Sequence, residues 1–191
     1  MGRTAFRLAV GLTVASLAAA GCSGGGSGRD AGAVTVVATT AVWGSVASAV
    51  AGQHASVKSI ETAANADPHS FEATPADVAE ITDASLVVYN GGGYDHWVDD
   101  VLAGDPEIDA VDAYSLRGTE GRTNEHVFYD VGIAKAVAAE IAKRLAEIDS
   151  RLADQYRSNA IEFGQKADDI AASERAIGAA HPSGSVVATE P

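Results

Sequence analysis

Several residue types are scarce in this chain of 191 residues, and their scarcity narrows the classes of protein it can belong to. It has one cysteine, which excludes an internal disulfide framework and a zinc site built on several cysteines. Basic residues are also few, since 13 Lys and Arg stand against 26 Asp and Glu, a formal net charge of −13. Without a basic surface to meet phosphates, we expect no nucleic-acid partner. Hydrophobic residues make up 47% of the sequence, which is enough to form a core and argues against intrinsic disorder.

The first 21 residues have the pattern of an export signal. Arg3 and Arg7 flank a short polar start, and an uncharged run from Leu8 to Ala20 follows, which is shorter than the ~20 residues of a membrane-spanning helix. The only cysteine, Cys22, comes after small residues at the position where a signal peptidase would cut, an arrangement that resembles a bacterial lipobox. We therefore expect residues 1–21 to be a lipoprotein signal peptide and Cys22 to be the site of lipid attachment. An ordinary secretion signal with an incidental cysteine is the alternative.

A Gly- and Ser-rich segment, residues 22–33, follows the signal and is typical of a flexible tether. A lipid, a tether and an acidic domain in this order predict an exported protein. We expect it to be lipid-anchored at the outer face of the cytoplasmic membrane, in the periplasm or on the cell surface.

Strand-like and helix-like segments alternate from residue 34 onward. The predicted strands are β-branched runs, at residues 34–39, 56–61, 85–90 and 108–112. The predicted helices are residues 42–50, 74–83 and 94–102. This alternation implies parallel pairing, so we expect an α/β lobe, a parallel sheet with flanking helices, over residues 34–129.

Two amphipathic helical stretches are predicted over residues 130–180, because apolar residues recur at spacings of three and four. Asp149-Ser150 either separates them or lies within one continuous helix. A helix from Ser150 to Gly178 would span roughly 40 Å, a length suited to connecting two lobes. Gly184 to Thr189 then predicts a strand. Since such a strand should lead into a helix and further strands, we expect residues 181–191 to be the start of a second, truncated α/β lobe.

Two loop histidines are the candidate metal ligands. His69 follows Asp67-Pro68, which favours a turn between a predicted strand and helix, at the edge where open α/β sheets bind ligands. His126 lies in a second loop, just before the long helices. Neutral imidazole is the commonest metal ligand in proteins, although a single loop histidine is more often a surface residue. The remaining histidines are interpreted as surface, turn or linker residues: His54, His96 and His181.

Four motifs together resemble one protein family, the zinc- and manganese-specific solute-binding proteins of bacterial ABC importers. Residues 67–77, DPHSFEATPAD, are similar to the signature loop of that family. Residues 83–98 resemble its strand, glycine turn and Trp-bearing helix, and residues 124–130 resemble its second histidine loop. Residues 187–191 resemble the strand end that delivers a third ligand, so the similarity extends from about Val34 to the last residue.

The resemblance implies a monomeric receptor that binds metal between two α/β lobes joined by a long helix. It implies three metal ligands from this sequence, His69, His126 and Glu190, and a further acidic ligand beyond it. The transported ligand would be Zn²⁺ or Mn²⁺, and Fe²⁺ is compatible with the same donors. The implied partners are ABC permease subunits in the membrane, and the protein would not be an enzyme.

Two other functions stay open. Two histidines and one glutamate with an open coordination position also form hydrolytic zinc sites, although the sequence has no His-Glu-x-x-His motif. A surface-exposed adhesin-type lipoprotein without a transport function would carry the same export features.

Overall fold

The computed structural model describes residues 34–61, 70–118 and 124–185 of the chain. The predicted signal peptide and tether, Cys22, His69 and Glu190 lie outside these ranges, as does most of the predicted last strand.

Strands and helices alternate through the described part of the chain, as the sequence predicts. The strands are β1 (Thr35–Thr40), β2 (Ser56–Glu61), β3 (Leu86–Tyr89) and β4 (Ala110–Asp112). The helices are α1 (Ala41–Ala51), α2 (Pro75–Thr82), α3 (Trp97–Gly104), α4 (Val131–Ile148) and α5 (Ala153–Ala180). None of the helices in these ranges combines the length and hydropathy needed to cross a membrane.

The four strands form one parallel sheet in the order β2-β1-β3-β4. Because side chains alternate across a strand, β1 contributes Val36 and Ala38 to one face and Val37 to the other. The first face is covered by α1, α4 and α5, and the second by α2 and α3. The result is a helix–sheet–helix sandwich with a separate apolar core on each face, which confirms the predicted fold class.

The strand order places a topological switch point between β1 and β3. The chain leaves β1 through α1 toward β2 on one side, then returns through α2 to β3 on the other side of β1. Open α/β sheets bind their ligands in the crevice at the carboxyl ends of such strands. Residues after Thr40 and Tyr89 therefore border the crevice at which we expect a ligand.

The helix ends follow from local chemistry. Thr74 caps α2 in a capping box, in which the Thr74 and Asp77 side chains each accept a hydrogen bond from the other residue's backbone N–H. The sequence predicts the next helix from Tyr94, but α3 begins only at Trp97 and residues 92–96 form a turn.

The two long helices are separate. Asp149, with φ −130° and ψ 87°, breaks the helical path, and its side chain accepts a hydrogen bond from the backbone N–H of Arg151. Helix α5 has 28 residues, so it is about 42 Å long. Only Tyr156 and Ala167 of α5 are buried, and its acidic side chains are exposed.

Candidate metal centre

A buried carboxylate, that of Asp95, ties β1 to the turn that follows β3. The side chain of Asp95 is 2% exposed. Its Oδ2 accepts hydrogen bonds from the Thr39 hydroxyl at 2.6 Å and from the Asn90 backbone N–H at 2.7 Å. Its Oδ1 accepts from the Gly91 N–H at 2.8 Å. The carboxylate therefore holds the carboxyl ends of β1 and β3 together at the switch point.

Glycine allows the chain to turn around this carboxylate. Gly91 and Gly92 have φ values of +73° and +65°, which L-amino acids with a side chain rarely adopt. A Cβ at Gly91 would lie 2.2 Å from Asp112 Oδ1, so the position also lacks space for a side chain.

Burial dominates the electrostatics of Asp95. Loss of water raises the pKa of its carboxyl group above the usual value, while the hydrogen bonds from Thr39, Asn90 and Gly91 oppose the rise. The carboxylate is thus held by neutral hydrogen-bond donors.

Asn90 connects the switch point to the second histidine loop through hydrogen bonds. Asn90 is fully buried, and its Oδ1 accepts a hydrogen bond from the Trp43 indole N–H at 3.1 Å. Its Nδ2 donates to the carbonyl oxygens of Glu125 at 2.8 Å and of Gly91 at 3.1 Å. Helix α1 and strand β3 therefore fix the residue that directly precedes His126.

His126 is buried at the carboxyl edge of the sheet, with 8% of its surface exposed. Its backbone N–H and its ring Nδ1 lie 2.8 Å and 2.7 Å from Asn124 Oδ1. The ring meets Tyr94 and Phe128 edge to face, with centroid separations of 5.6 and 5.9 Å. The imidazole is therefore held in orientation by one polar and two aromatic neighbours.

Beside His126, a cleft of about 620 Å³ opens between the histidine loop and helix α5. Its lining combines polar and apolar side chains and includes Asn124, Arg117, Tyr129, Asp130 and, from α5, Glu174. Arg117 lies 4.2 Å from the centre of the Tyr114 ring. Asp130 caps α4 by accepting from the N–H groups of Gly132 and Ile133, which fixes the chain just after the loop.

Of the three predicted metal ligands, the described residues contain His126. Within the same ranges, no group of three or more His, Cys, Asp or Glu side chains is arranged to hold a metal ion. His69 and Glu190 lie outside those ranges. The grouping of the three ligands therefore stays a prediction.

The other three histidines have the environments expected of them. His96 and His181 are exposed, and His54 is half-buried with its ring 6.5 Å from that of Tyr156. Trp43 and Trp97 are buried in the cores on opposite faces of the sheet.

Sequence reasoning assigned no role to the residues that hold the histidine loop, namely Thr39, Asn90, Asp95 and Asn124. The local signals that were available are the polar Thr39 and Thr40 at the end of β1 and, after β3, Asn90 followed by three glycines. Their contacts, however, join residues as far as 56 positions apart.

Comparison with known proteins gives a consistent family. The family model described as zinc-uptake complex component A periplasmic (ZnuA) matches residues 36–191. The manganese-binding lipoprotein MntA of Halalkalibacterium halodurans is 27% identical over 167 residues, which are 83% of this chain and 55% of that protein. The chain thus spans about half the length of the curated relatives it matches.

Two solved structures have the same fold. One is the laminin-binding protein Lmb of Streptococcus agalactiae, described as bifunctional with adhesin and metal transporting activity. It aligns with a TM-score of 0.62 at 30% identity, over 71% of this chain and 52% of Lmb. The other is Zn(II)-bound AdcA from Streptococcus pneumoniae, with a TM-score of 0.63 at 23% identity over 72% of this chain and 31% of AdcA. Because the family model matches most of the sequence, from residue 36 to residue 191, the chain belongs to the ZnuA family of periplasmic zinc-uptake components.

Proposed function

We propose that this chain is part of the extracytoplasmic solute-binding component of a metal ABC importer. It captures a divalent transition metal, Zn²⁺ or Mn²⁺, and delivers it to permease subunits in the membrane. The observation that supports this most is the oriented, buried imidazole of His126 at the switch point of a ZnuA-family fold. Relatives with names that specify manganese, and a neighbour solved with Zn(II), support the choice of metals.

The proposed mechanism is coordination. His126 supplies one imidazole nitrogen, and His69 and Glu190 supply the second imidazole and a carboxylate. Neutral imidazoles and an anionic oxygen together offset the cost of dehydrating a divalent cation. This mixed donor set suits Zn²⁺, Mn²⁺ and Fe²⁺, so geometry and metal supply, more than ligand type, decide which ion is carried.

Export and anchoring complete the proposal. Relatives such as MntA are named as lipoproteins, in agreement with a lipid on Cys22 and a location at the outer face of the cytoplasmic membrane. Removal of residues 1–21 takes away Arg3 and Arg7 and no acidic residue, so the formal charge becomes 11 − 26 = −15. This charge disfavours adsorption to anionic lipid, so the acyl chain provides the attachment. The proposed receptor acts as a monomer.

The two alternatives have less support. The relatives are named as binding lipoproteins of metal importers, so we propose that the chain binds metal and is not a zinc hydrolase. The name of Lmb combines adhesin and metal transporting activity, so an adhesive role would accompany transport and does not replace it. Growth of a deletion strain under metal starvation separates the two, because loss of a pure adhesin leaves growth unchanged.

The test of the proposed site is metal affinity measured by competition with a chelator, for Zn²⁺ and for Mn²⁺. His126→Ala, His69→Ala and Glu190→Ala each remove a proposed ligand. Mutation of a residue that only supports a ligand typically weakens metal binding by about 10–100-fold. Each of these three substitutions should weaken it by more than that. His96→Ala is the matched control, because His96 is exposed and should leave affinity unchanged. Unchanged affinity in the double variant His69→Ala, His126→Ala would refute the assignment.

A further inference from the structure

We infer that Asn124 is a positioning residue. Its side chain fixes which ring nitrogen of His126 carries the hydrogen, and it thereby sets how strongly this imidazole holds a metal. The inference rests on the proposed function, in which His126 is a ligand. Asn124 itself neither binds the ion nor titrates.

The two hydrogen bonds between Asn124 and His126 show which side-chain atom of Asn124 faces the histidine. The backbone N–H of His126 can only donate, so the side-chain atom of Asn124 that lies 2.8 Å from it must be the carbonyl oxygen. The same oxygen lies 2.7 Å from Nδ1 of the His126 ring. A carboxamide oxygen can only accept, and therefore Nδ1 must carry the hydrogen.

This hydrogen decides which ring nitrogen can coordinate. A neutral imidazole with its hydrogen on Nδ1 has its lone pair on Nε2. Without an acceptor at Nδ1, both tautomers are available to the ring, and the tautomer protonated at Nε2 cannot bind an ion through that nitrogen. Asn124 thus selects the ligand atom before the metal arrives.

The same contact restricts the orientation of the ring. Backbone and ring of His126 bond to one oxygen, while Tyr94 and Phe128 contact the ring by their edges. A ligand held in this way loses little further freedom when it binds an ion.

The chemistry of position 124 also affects the strength of the ligand. Metal-bound histidines commonly donate their second ring N–H to a carboxylate, which raises the basicity of the coordinating nitrogen. A neutral carboxamide orients the ring equally but adds no negative charge. Asn124 therefore gives a correctly oriented ligand with a weaker hold on the metal, a property suited to a carrier that must release its cargo.

Two substitutions separate orientation from charge. Asn124→Leu removes the acceptor at nearly the same volume, and Asn124→Asp keeps the acceptor and adds a charge. Asn159→Leu is the matched control, because Asn159 is a half-buried asparagine whose Nδ2 donates to Val50 on the far side of the lobe.

The first measurement is the tautomer of His126 in the metal-free chain, from long-range ¹H–¹⁵N correlation spectra. We expect the Nδ1–H form in the wild type, in Asn124→Asp and in Asn159→Leu, and a mixture or the Nε2–H form in Asn124→Leu. The second measurement is metal affinity. Asn124→Leu should lose about 10–100-fold, Asn124→Asp should gain up to about tenfold, and Asn159→Leu should stay at the wild-type value.

The results distinguish the two proposals. If His126→Ala binds metal as tightly as the wild type, the proposed site fails, whatever the tautomer. If His126→Ala loses metal but Asn124→Leu keeps both the Nδ1–H form and wild-type affinity, the role of Asn124 is overturned. Asn124→Asp retains the acceptor, so its affinity tests the charge argument even if Asn124→Leu does not fold. No gain in Asn124→Asp would overturn that part of the inference.

Discussion

Replacing Asn90 with aspartate tests whether the buried hydrogen bonds at the switch point stabilise the lobe. The substitution preserves the shape of the side chain and the acceptor for Trp43. It replaces the donor Nδ2 with an oxygen, which in the ionised carboxylate can accept hydrogen bonds but cannot donate them. In the native structure this Nδ2 donates to the carbonyls of Glu125 and Gly91. The new carboxylate would face both carbonyl oxygens at a fully buried position.

The expected loss of stability is large. Each carbonyl keeps one backbone donor, the N–H of Val127 for Glu125 and that of Tyr94 for Gly91. Two lost hydrogen bonds therefore cost about 1–3 kcal/mol together, and the burial of an ionised carboxylate against two carbonyl oxygens adds to this. Burial raises the pKa of the new carboxyl group, and on protonation this group regains one donor. The loss should therefore be greatest at neutral pH and shrink as the pH falls.

Urea unfolding followed by circular dichroism, at neutral and mildly acidic pH, measures this effect. Asn159→Asp is the control, because the Asn159 Nδ2 donates to a single carbonyl, that of Val50, at a half-buried position. It should cost about 0.5–1.5 kcal/mol. The reasoning is refuted if Asn90→Asp costs no more than the control, or if its cost is the same at both pH values.

Three further substitutions test other parts of the fold. Asp95→Asn should cost about 1–3 kcal/mol at neutral pH in urea unfolding, because a carboxamide oxygen cannot replace both carboxylate oxygens for three donors. Since the pKa of Asp95 is raised in the folded state, the native form binds more protons between the unfolded and folded pKa values. Wild-type stability therefore falls as pH rises through that interval, and the variant should lack this slope. Thr74→Ala removes the capping box of α2 and should cost about 1 kcal/mol in the same assay. Glu140 behaves oppositely to Asp95, because the hydrogen bond from Arg144 lowers its pKa. The pair stabilises the fold above the unfolded pKa of Glu140 and loses this effect as pH falls through the folded value. Because the pair is partly exposed, Glu140→Gln should remove less than about 1 kcal/mol of this acid-dependent stability in pH-dependent urea melts.

The architecture could be predicted from the sequence because its signals are local. The β-branched run at residues 34–39 gives β1, and the Thr74-Pro75 pair marks the start of α2. The glycine turn was predicted, but the start of α3 was placed three residues too early. The carboxylate of Asp95 accepts from two backbone N–H groups and keeps residues 92–96 in a turn, and part of its support comes from Thr39, which is distant in sequence.

The site was only partly predictable for the same reason. His126 stood out because it lies in a motif, but the position of its loop depends on Asn90, which is 35 positions from Glu125 and 47 from Trp43. Trp43 packs in the core, and its indole N–H also orients Asn90. A sequence pattern shows that a tryptophan is apolar and large, but it does not show which buried acceptor its nitrogen will meet. The break at Asp149 was equally undecided, since the apolar spacing continues on both sides of it.

The two asparagines near His126 should affect stability and metal affinity differently. This difference distinguishes a residue that supports the loop from one that acts on the imidazole. Asn90 is fully buried and donates to the backbone of the loop, so its replacement should lower the free energy of unfolding and weaken metal binding together. Asn124 is half-buried and bonds to His126 itself, so its replacement by leucine should weaken metal binding at little cost in stability. If both variants lose stability in proportion to affinity, the loop acts as one structural unit and Asn124 has no separate effect on the imidazole. If affinity falls in Asn124→Leu while its urea midpoint stays near the wild-type value, the effect on the imidazole is independent of folding.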